Sequence, residues 1–183
     1  GSDFLVDIKK ILKKRDIKFL TLKHFQTLNF KRLKKIKGII MSGGPGPPYG
    51  PLNLNLDYIS LISLKVPILG ICLGHEIIAV AFGGEIKKLR KKDEVGQSIK
   101  IIKKDRIFKN VSKNFSIAEY HNYYVSKLPK DFIVLAKSKI CNIEVMKHNR
   151  KIIYGFQGHP EYSGGDGKKI INNFIDMCLL KTK

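Results

Sequence analysis

The chain has 183 residues, 43% of them hydrophobic, which predicts a globular domain and excludes a disordered chain. No apolar run approaches the ~20 residues that span a membrane, and the first residues lack the apolar core of a signal peptide. The formal charge is +20, yet only five of the 35 basic residues are arginine, the residue favoured for phosphate and base contacts. We therefore expect a solvated lysine-rich surface that attracts anionic partners or substrates, without nucleic acid as a partner.

Cysteine usage bounds the compartment. The three cysteines are odd in number, lie far apart and include no CxxC pair: Cys72, Cys141 and Cys178. This spacing argues against a disulfide framework and a zinc cluster, and it favours a reducing compartment. We expect a cytoplasmic protein with no metal site.

The first half of the chain alternates predicted helices and strands. In chain order they are an amphipathic helix over residues 4–14, a strand over 17–22, a short helix within 24–35, a buried strand over 36–42, a Gly- and Pro-rich loop over 43–48 and a helix over 52–64. Such alternation predicts a parallel sheet covered by helices on both faces.

The next segment combines a buried strand with a helix. Its apolar run at residues 66–71 is too short for a helix and is typical of a strand buried on both faces. A helix is predicted to follow and to end at the Gly pair 83–84. The apolar side chains that recur at helical spacing are Leu73, Ile77, Ile78 and Ala81.

Cys72 lies at the junction between that strand and that helix. Gly70 and Gly74 permit a sharp turn that a Cβ atom would obstruct, as in a nucleophile elbow. The helix dipole and the free backbone N–H groups there are predicted to favour the thiolate, which is the nucleophilic form. Cys72 is therefore the candidate nucleophile. The alternative, a small buried core cysteine, stays open on this segment alone.

The second half carries shorter strand patterns separated by turn signals. We predict strands over residues 95–103, 132–137, 142–147 and 152–157, and a closing helix over 168–180. No internal repeat or low-complexity linker divides the chain. Residues 1–183 are therefore predicted to form a single α/β domain with a mainly parallel, twisted central sheet, helices on both faces and a small antiparallel portion.

His159 and Glu161 are the candidate base and its orienting acceptor, which a cysteine nucleophile requires. Pro160 disfavours helix at His159, and residues two apart in an extended segment point the same way. The two side chains are therefore predicted to project together toward a site just past a strand. A surface loop with an incidental histidine is the alternative.

Acyl transfer also needs hydrogen-bond donors for the oxyanion. Gly43 and Gly44 follow a strand and can present backbone N–H groups. The N–H of Leu73, directly after the nucleophile, is the other natural donor.

Three motifs, in this order and spacing, resemble the class I glutamine amidotransferases: Ser42-Gly43-Gly44-Pro45, Gly70-Ile71-Cys72-Leu73-Gly74-His75 and His159-Pro160-Glu161. The resemblance runs over nearly the whole chain and implies a flavodoxin-like fold. It implies that Cys72 attacks the side-chain amide of glutamine, that His159 acts as base and acid, and that Glu161 orients His159. Gly44 and Leu73 would form the oxyanion hole. Ammonia would leave, and water would release glutamate from a γ-glutamyl thioester.

The resemblance also implies substrate contacts at Gly43, Glu76 and His121. Glu76 stands where the family usually has glutamine. A carboxylate there could pair with the α-ammonium of the substrate, but it would raise the pKa of Cys72 if it lay close.

Two further departures fall near the site. Gly158 replaces an aromatic residue, which we expect to loosen the packing before His159. Tyr123 takes the place of an aspartate that the pattern expects two residues after His121. The family's first strand, which precedes a Gly-Ser-x-aromatic stretch, is expected before residue 1.

Within the family, residues 108–111, 140–148 and 153–155 are similar to the amidotransferase subunit of GMP synthetase, and the archaeal form, a separate short chain, fits the length. This implies an ATP-pyrophosphatase partner subunit that adenylates xanthosine monophosphate and receives the ammonia. ATP and magnesium would belong to that partner, so we expect no cofactor in this chain. No nucleic-acid or membrane partner is implied.

Three alternatives stay open. The glutaminase subunit of anthranilate or aminodeoxychorismate synthase rests on Tyr120-His121-Asn122 and residues 128–129. A degenerate regulatory module without turnover is motivated by Glu76, Gly158 and Tyr123. A nucleic-acid-binding protein rests on charge alone and would require a steep salt dependence of affinity.

Overall fold

The structure, a computed structural model, describes residues 4–22, 33, 35–44, 65–93 and 96–180. In that part of the chain three α-helices occur: α1 (Phe4–Lys14), α2 (Leu73–Ala81) and α3 (Gly164–Leu180). The strands are β1 (Ile39–Met41), β2 (Ile68–Ile71), β3 (Glu85–Asp93), β4 (Gln97–Ile101), β5 (Asn114–Ile117), β6 (His121–Lys127), β7 (Phe132–Lys137), β8 (Val145–His148) and β9 (Ile153–Phe156). The predicted short helix within 24–35, the loop beyond residue 44 and the helix over 52–64 lie outside the described residues.

Seven of these strands form one mixed sheet in the order β1-β2-β9-β8-β7-β4-β5. β1 and β2 are parallel, and so are β2 and β9. The neighbouring pairs from β9 to β5 are all antiparallel. The α/β fold is confirmed, and its parallel strands carry the segments in which the candidate nucleophile and base lie.

Helices cover both faces of the sheet, as predicted. Leu69 and Ile71 of β2 point to a core that α1 and α3 complete with Ile8 and Ile170. Ile68 points to the opposite core, which α2 completes with Ile77 and Ile78. Successive side chains of a strand point to opposite faces, so a continuous apolar run such as residues 66–71 fits a strand that is covered on both sides.

The prediction of a strand over residues 17–22 is wrong. The segment leaves α1 without pairing to any described strand. Phe19 is 38% exposed and Leu20 is 54% exposed, so neither side chain is packed as in a central strand. The apolar composition that favoured a strand here does not supply the neighbour that a ladder of hydrogen bonds requires.

Three strands were not predicted: β3, β5 and β6. β3 carries lysine and arginine on both faces (EIKKLRKKD), so it lacks the alternation that marks a half-buried strand. It pairs only with β6, as an antiparallel ribbon outside the main sheet. The closing helix α3 begins at Gly164, four residues before the predicted start, because sequence propensity disfavours its first turn of glycines.

None of the described helices is long and apolar enough to cross a membrane.

Candidate active site

Cys72 lies on a strained bend between β2 and α2. Its backbone has φ 51° and ψ −108°, a conformation that side-chain-bearing residues rarely adopt and that costs about 1–3 kcal/mol. Its N–H donates to the Phe156 carbonyl (2.8 Å), and its own carbonyl accepts from the Glu76 N–H (3.1 Å). The bend is therefore fixed by the sheet on one side and by the first helical turn on the other.

The glycines around Cys72 are required by close packing, as predicted. A Cβ atom on Gly70 would lie 2.5 Å from the Gly74 carbonyl oxygen, and one on Gly74 would overlap the Met41 carbonyl. The strand and the helix can approach this closely only when both positions lack a side chain.

His159 and Glu161 meet behind the bend. The ring Nδ1 of His159 donates to Glu161 Oε1 at 2.9 Å, and both side chains are buried. The expected extended geometry is only half right: His159 is non-helical, but Glu161 lies in a short 3-10 helix, Pro160–Tyr162. The contact therefore arises from a turn. A further bond from the His159 N–H to the Ala118 carbonyl (2.8 Å) fixes the backbone of the histidine.

Gly43 brings the nucleophile and the base together. A Cβ atom at this position would lie 2.7 Å from His159 Cε1, 3.5 Å from His159 Nε2 and 3.4 Å from Cys72 Cβ. The Cε1–Nε2 edge of the imidazole therefore faces the same small space as the cysteine. Gly44 lies next to it, and its Cβ position is 3.3 Å from the Leu73 side chain. The two predicted oxyanion donors are thus neighbours.

Tyr120 covers the outer side of the site. Its carbonyl oxygen lies 3.9 Å from Cys72 Sγ, and its ring packs edge-on against the His159 imidazole with the centroids 6.3 Å apart. Tyr120 is 43% exposed, whereas Cys72 is 6% exposed.

The expectation that the helix favours the Cys72 thiolate is wrong for this structure. Burial raises the pKa of the thiol, and the nearby Glu76 carboxylate raises it further. The Leu73 N–H acts in the predicted direction and lowers the pKa, but it is outweighed. The thiol is therefore the favoured form.

Glu76 lies close behind the nucleophile and is 3% exposed. Its Oε1 accepts a hydrogen bond from the Gln157 side chain at 3.1 Å. Burial raises the pKa of Glu76 from its ordinary 4.5 to about 7, although Gln157 and His121 both act to lower it. The concern that a carboxylate here would oppose the cysteine is confirmed.

The space beside Gly158 is filled by Glu119, so the expectation of loose packing there is wrong. A Cβ atom on Gly158 would lie 2.6 Å from Glu119 Oε1 and 2.9 Å from Ile117 Cγ1. Glu119 is fully buried, and its Oε2 lies 3.2 Å from His121 Nε2. The charged residue takes the volume that an aromatic side chain at position 158 would need.

His121 is buried with its ring Nδ1 donating to the Tyr123 carbonyl at 2.7 Å. It therefore belongs to the buried layer around Glu119 and Glu76. Burial is the main cause that lowers the pKa of the neighbouring His75 to about 3, and the His121 ring lowers it further.

Sequence reasoning missed the roles of Glu119, Glu144 and Gln157. All three are buried and adjoin the site: the Gln157 N–H donates to the Glu144 carbonyl at 2.8 Å. Burial followed by the Glu119 charge raises the pKa of Glu144 well above its ordinary value. The available signal was a glutamate two residues before His121, on the same face of an extended segment.

In the described part of the chain, no group of three or more metal-ligating side chains could hold a metal ion.

The fold and this arrangement define a cysteine-based amidotransferase, and comparison with known proteins agrees. The family model of glutamine amidotransferase class-I matches residues 1–178. The chain therefore belongs to the class I glutamine amidotransferases.

Two similar relatives are both named as the glutamine-hydrolyzing subunit of GMP synthase. The protein of Methanocaldococcus jannaschii is 40% identical over 149 residues, which is 81% of this chain and 77% of that protein. The protein of Pyrococcus furiosus is 36% identical over 180 residues, which is 97% of this chain and 95% of that protein. These relatives do not favour the anthranilate or aminodeoxychorismate alternative.

Solved structures agree on the fold. A protein from Thermoplasma acidophilum, described as a GMP synthase subunit, has a TM-score of 0.90 at 24% identity and covers 99% of this chain and 91% of that one. A glutamine amidotransferase from Thermotoga maritima has a TM-score of 0.77 at 18% identity, over 95% of this chain and 78% of that one. At these identities the likeness concerns the fold alone.

Proposed function

We propose that this chain is the glutaminase subunit of a GMP synthetase, and that it delivers ammonia to a separate ATP-pyrophosphatase subunit. The observation that carries the proposal is the space at Gly43, which both Cys72 Cβ and the His159 ring edge border. The names of the archaeal relatives support the choice of partner.

The chemistry follows from the placement of the groups. Because the Nδ1 of His159 donates to Glu161, Nε2 is the nitrogen that accepts the Cys72 proton as the sulfur attacks the amide carbon of glutamine. The backbone N–H groups of Gly44 and Leu73 stabilise the oxyanion. His159 then protonates the amide nitrogen, which leaves as ammonia.

The second half of the cycle reverses these roles. A water molecule gives a proton to His159 and attacks the γ-glutamyl thioester on Cys72. The carbon–sulfur bond breaks, glutamate leaves and the thiol regains its proton. Glutamine is the substrate, and no cofactor takes part in these steps.

The test is glutamate release from glutamine, measured for the chain alone and with an ATP-pyrophosphatase subunit of GMP synthetase, ATP and xanthosine monophosphate. We expect turnover to rise when the full set is present. Cys72→Ala should lower it by about 10⁴-fold or more with the fold retained, because the covalent step is lost. Equal turnover in Cys72→Ala would refute the proposal.

A regulatory module without turnover is distinguished by chemistry at the same atom. A glutamine-like electrophile that labels Cys72, but neither Cys141 nor Cys178, would contradict that alternative. All three cysteines are free thiols, so the comparison is internal to one chain.

A further inference from the structure

Glu76 is fixed between the two segments that carry the nucleophile and the base. It follows Cys72 by one helical turn, and its N–H donates to the Cys72 carbonyl at 3.1 Å. Its carboxylate accepts from the Gln157 side chain at 3.1 Å, and Gln157 lies two residues before His159. Glu76 therefore cannot turn away from the nucleophile without breaking a buried hydrogen bond.

Among the described residues, no buried lysine or arginine balances the charge of Glu76. The buried charged and titratable residues of this part of the chain, cysteine and tyrosine aside, are four glutamates and four histidines: Glu76, Glu119, Glu144, Glu161, His75, His121, His148 and His159. The donor to Glu76 is a neutral amide, which stabilises a carboxylate less than an ion pair does. Two acids in one desolvated space then compete for a single negative charge.

We propose that Glu76 is a positioning residue that acts through Cys72: its buried charge keeps the thiol protonated in the isolated subunit, and the thiolate forms when that charge is neutralised. The inference rests on the proposed role of Cys72 as nucleophile. It gives a physical reason for a subunit that hydrolyses little glutamine by itself, because attack requires the thiolate.

The groups that act on Cys72 come from every element around it. Glu76 lies on α2, Glu119 lies in the segment before β6, and Glu161 lies in the turn after β9; all three raise the thiol pKa, with Glu76 the strongest after burial. His121 on β6 opposes the Glu76 charge. His159 borders the same space. Residues 39–44, from β1 to Gly44, contain no titratable side chain.

The test measures the rate at which iodoacetamide alkylates Cys72 between about pH 6 and pH 9, with each cysteine quantified by peptide mass spectrometry. In Glu76→Gln we expect labelling of Cys72 to be about tenfold faster near pH 8, because each unit by which the pKa falls raises the thiolate fraction tenfold. The same rate in Glu76→Gln and the unmodified chain at every pH would overturn the proposal.

Three further variants separate charge from structure. Glu76→Asp retains the charge and should restore slow labelling. Glu119→Gln should accelerate Cys72 less than Glu76→Gln does, because Glu119 acts on the thiol more weakly. Glu144→Gln should leave Cys72 unchanged and accelerate Cys141, because Glu144 raises the pKa of that thiol. Equal acceleration of Cys72 by all neutralising variants would indicate general loosening and would also overturn the proposal.

Circular dichroism melting of each variant checks the fold. The alkylation result does not depend on turnover, so it can fail while Cys72→Ala still abolishes glutamate release. Conversely, unchanged turnover in Cys72→Ala would refute the glutaminase proposal whatever the alkylation rates are.

Discussion

Two buried glutamates flank the nucleophile, and they differ in what faces them. Glu161 accepts from an imidazole N–H at 2.9 Å, whereas Glu76 accepts from an amide N–H at 3.1 Å. An imidazole can become a cation during the reaction, so a carboxylate beside it stabilises the charge that develops. An amide cannot, so the carboxylate on that side opposes the ionisation of Cys72. In one desolvated space, the partner decides whether a carboxylate assists or restrains the nucleophile.

Glu161→Gln tests the assisting side and should have the largest effect. The neutral amide would leave the Nδ1 proton of His159 without an anionic acceptor, so we expect the kcat for glutamine hydrolysis to fall by about 10²–10⁴-fold. The matched control is Glu85→Gln, which neutralises a 57% exposed carboxylate paired with Lys127 and should leave kcat unchanged. A kcat within twofold of the unmodified value in Glu161→Gln would show that the contact does not orient the base.

Gly43→Ala tests whether the space between the nucleophile and the base is needed. The added methyl group would lie 2.7 Å from His159 Cε1, so the ring must shift. We expect kcat/KM to fall by about 10²-fold, because small misplacements of reacting groups cost that much.

Gly96→Ala is the control for Gly43→Ala, because its Cβ position meets only the Ile117 carbonyl, at 3.7 Å. It should leave kcat/KM unchanged. An equal loss of kcat/KM in both variants would separate the effect from the site.

Glu76→Gln tests the restraining side through stability. The native pKa of Glu76, about 7, lies above its ordinary 4.5, so the native state binds this proton more tightly than the unfolded chain does. The contribution to stability is complete below about pH 4.5 and is lost as the pH rises through about 7. Because the amide cannot ionise, the free energy of unfolding of Glu76→Gln should exceed that of the unmodified chain by about 2–3 kcal/mol near pH 8.

Urea unfolding of both chains near pH 5 and near pH 8 measures that difference. It should shrink to a few tenths of a kcal/mol near pH 5, where Glu76 is protonated. A difference that is the same at both pH values would mean that the charge of Glu76 is not the cause.

The sequence predicted the parts of the site that depend on near neighbours along the chain. The bend at Cys72 needs Gly70 and Gly74, which stand two residues to either side. The helix after it is read from the spacing of its own apolar residues. The His159–Glu161 contact is also local, although the turn that produces it differs from the extended geometry expected.

The rest depends on which segments are brought together, and a single segment does not contain that information. Gly158 indicated loose packing until the structure placed Glu119, from a distant strand end, in the same volume. The charged strand β3 has no pattern of its own and is ordered by pairing with β6. Residues 17–22 have a strand-like composition but no described partner.

The sequence by itself determined the family, the order of the motifs and the identity of the candidate nucleophile and base, because these follow from residue types at fixed spacings. Only the tertiary structure decided the protonation state of Cys72. A helix N-terminus favours a thiolate, but burial and the Glu76 charge oppose it more strongly. Desolvation is a property of everything that surrounds an atom, and the chain supplies that surrounding only after it has folded.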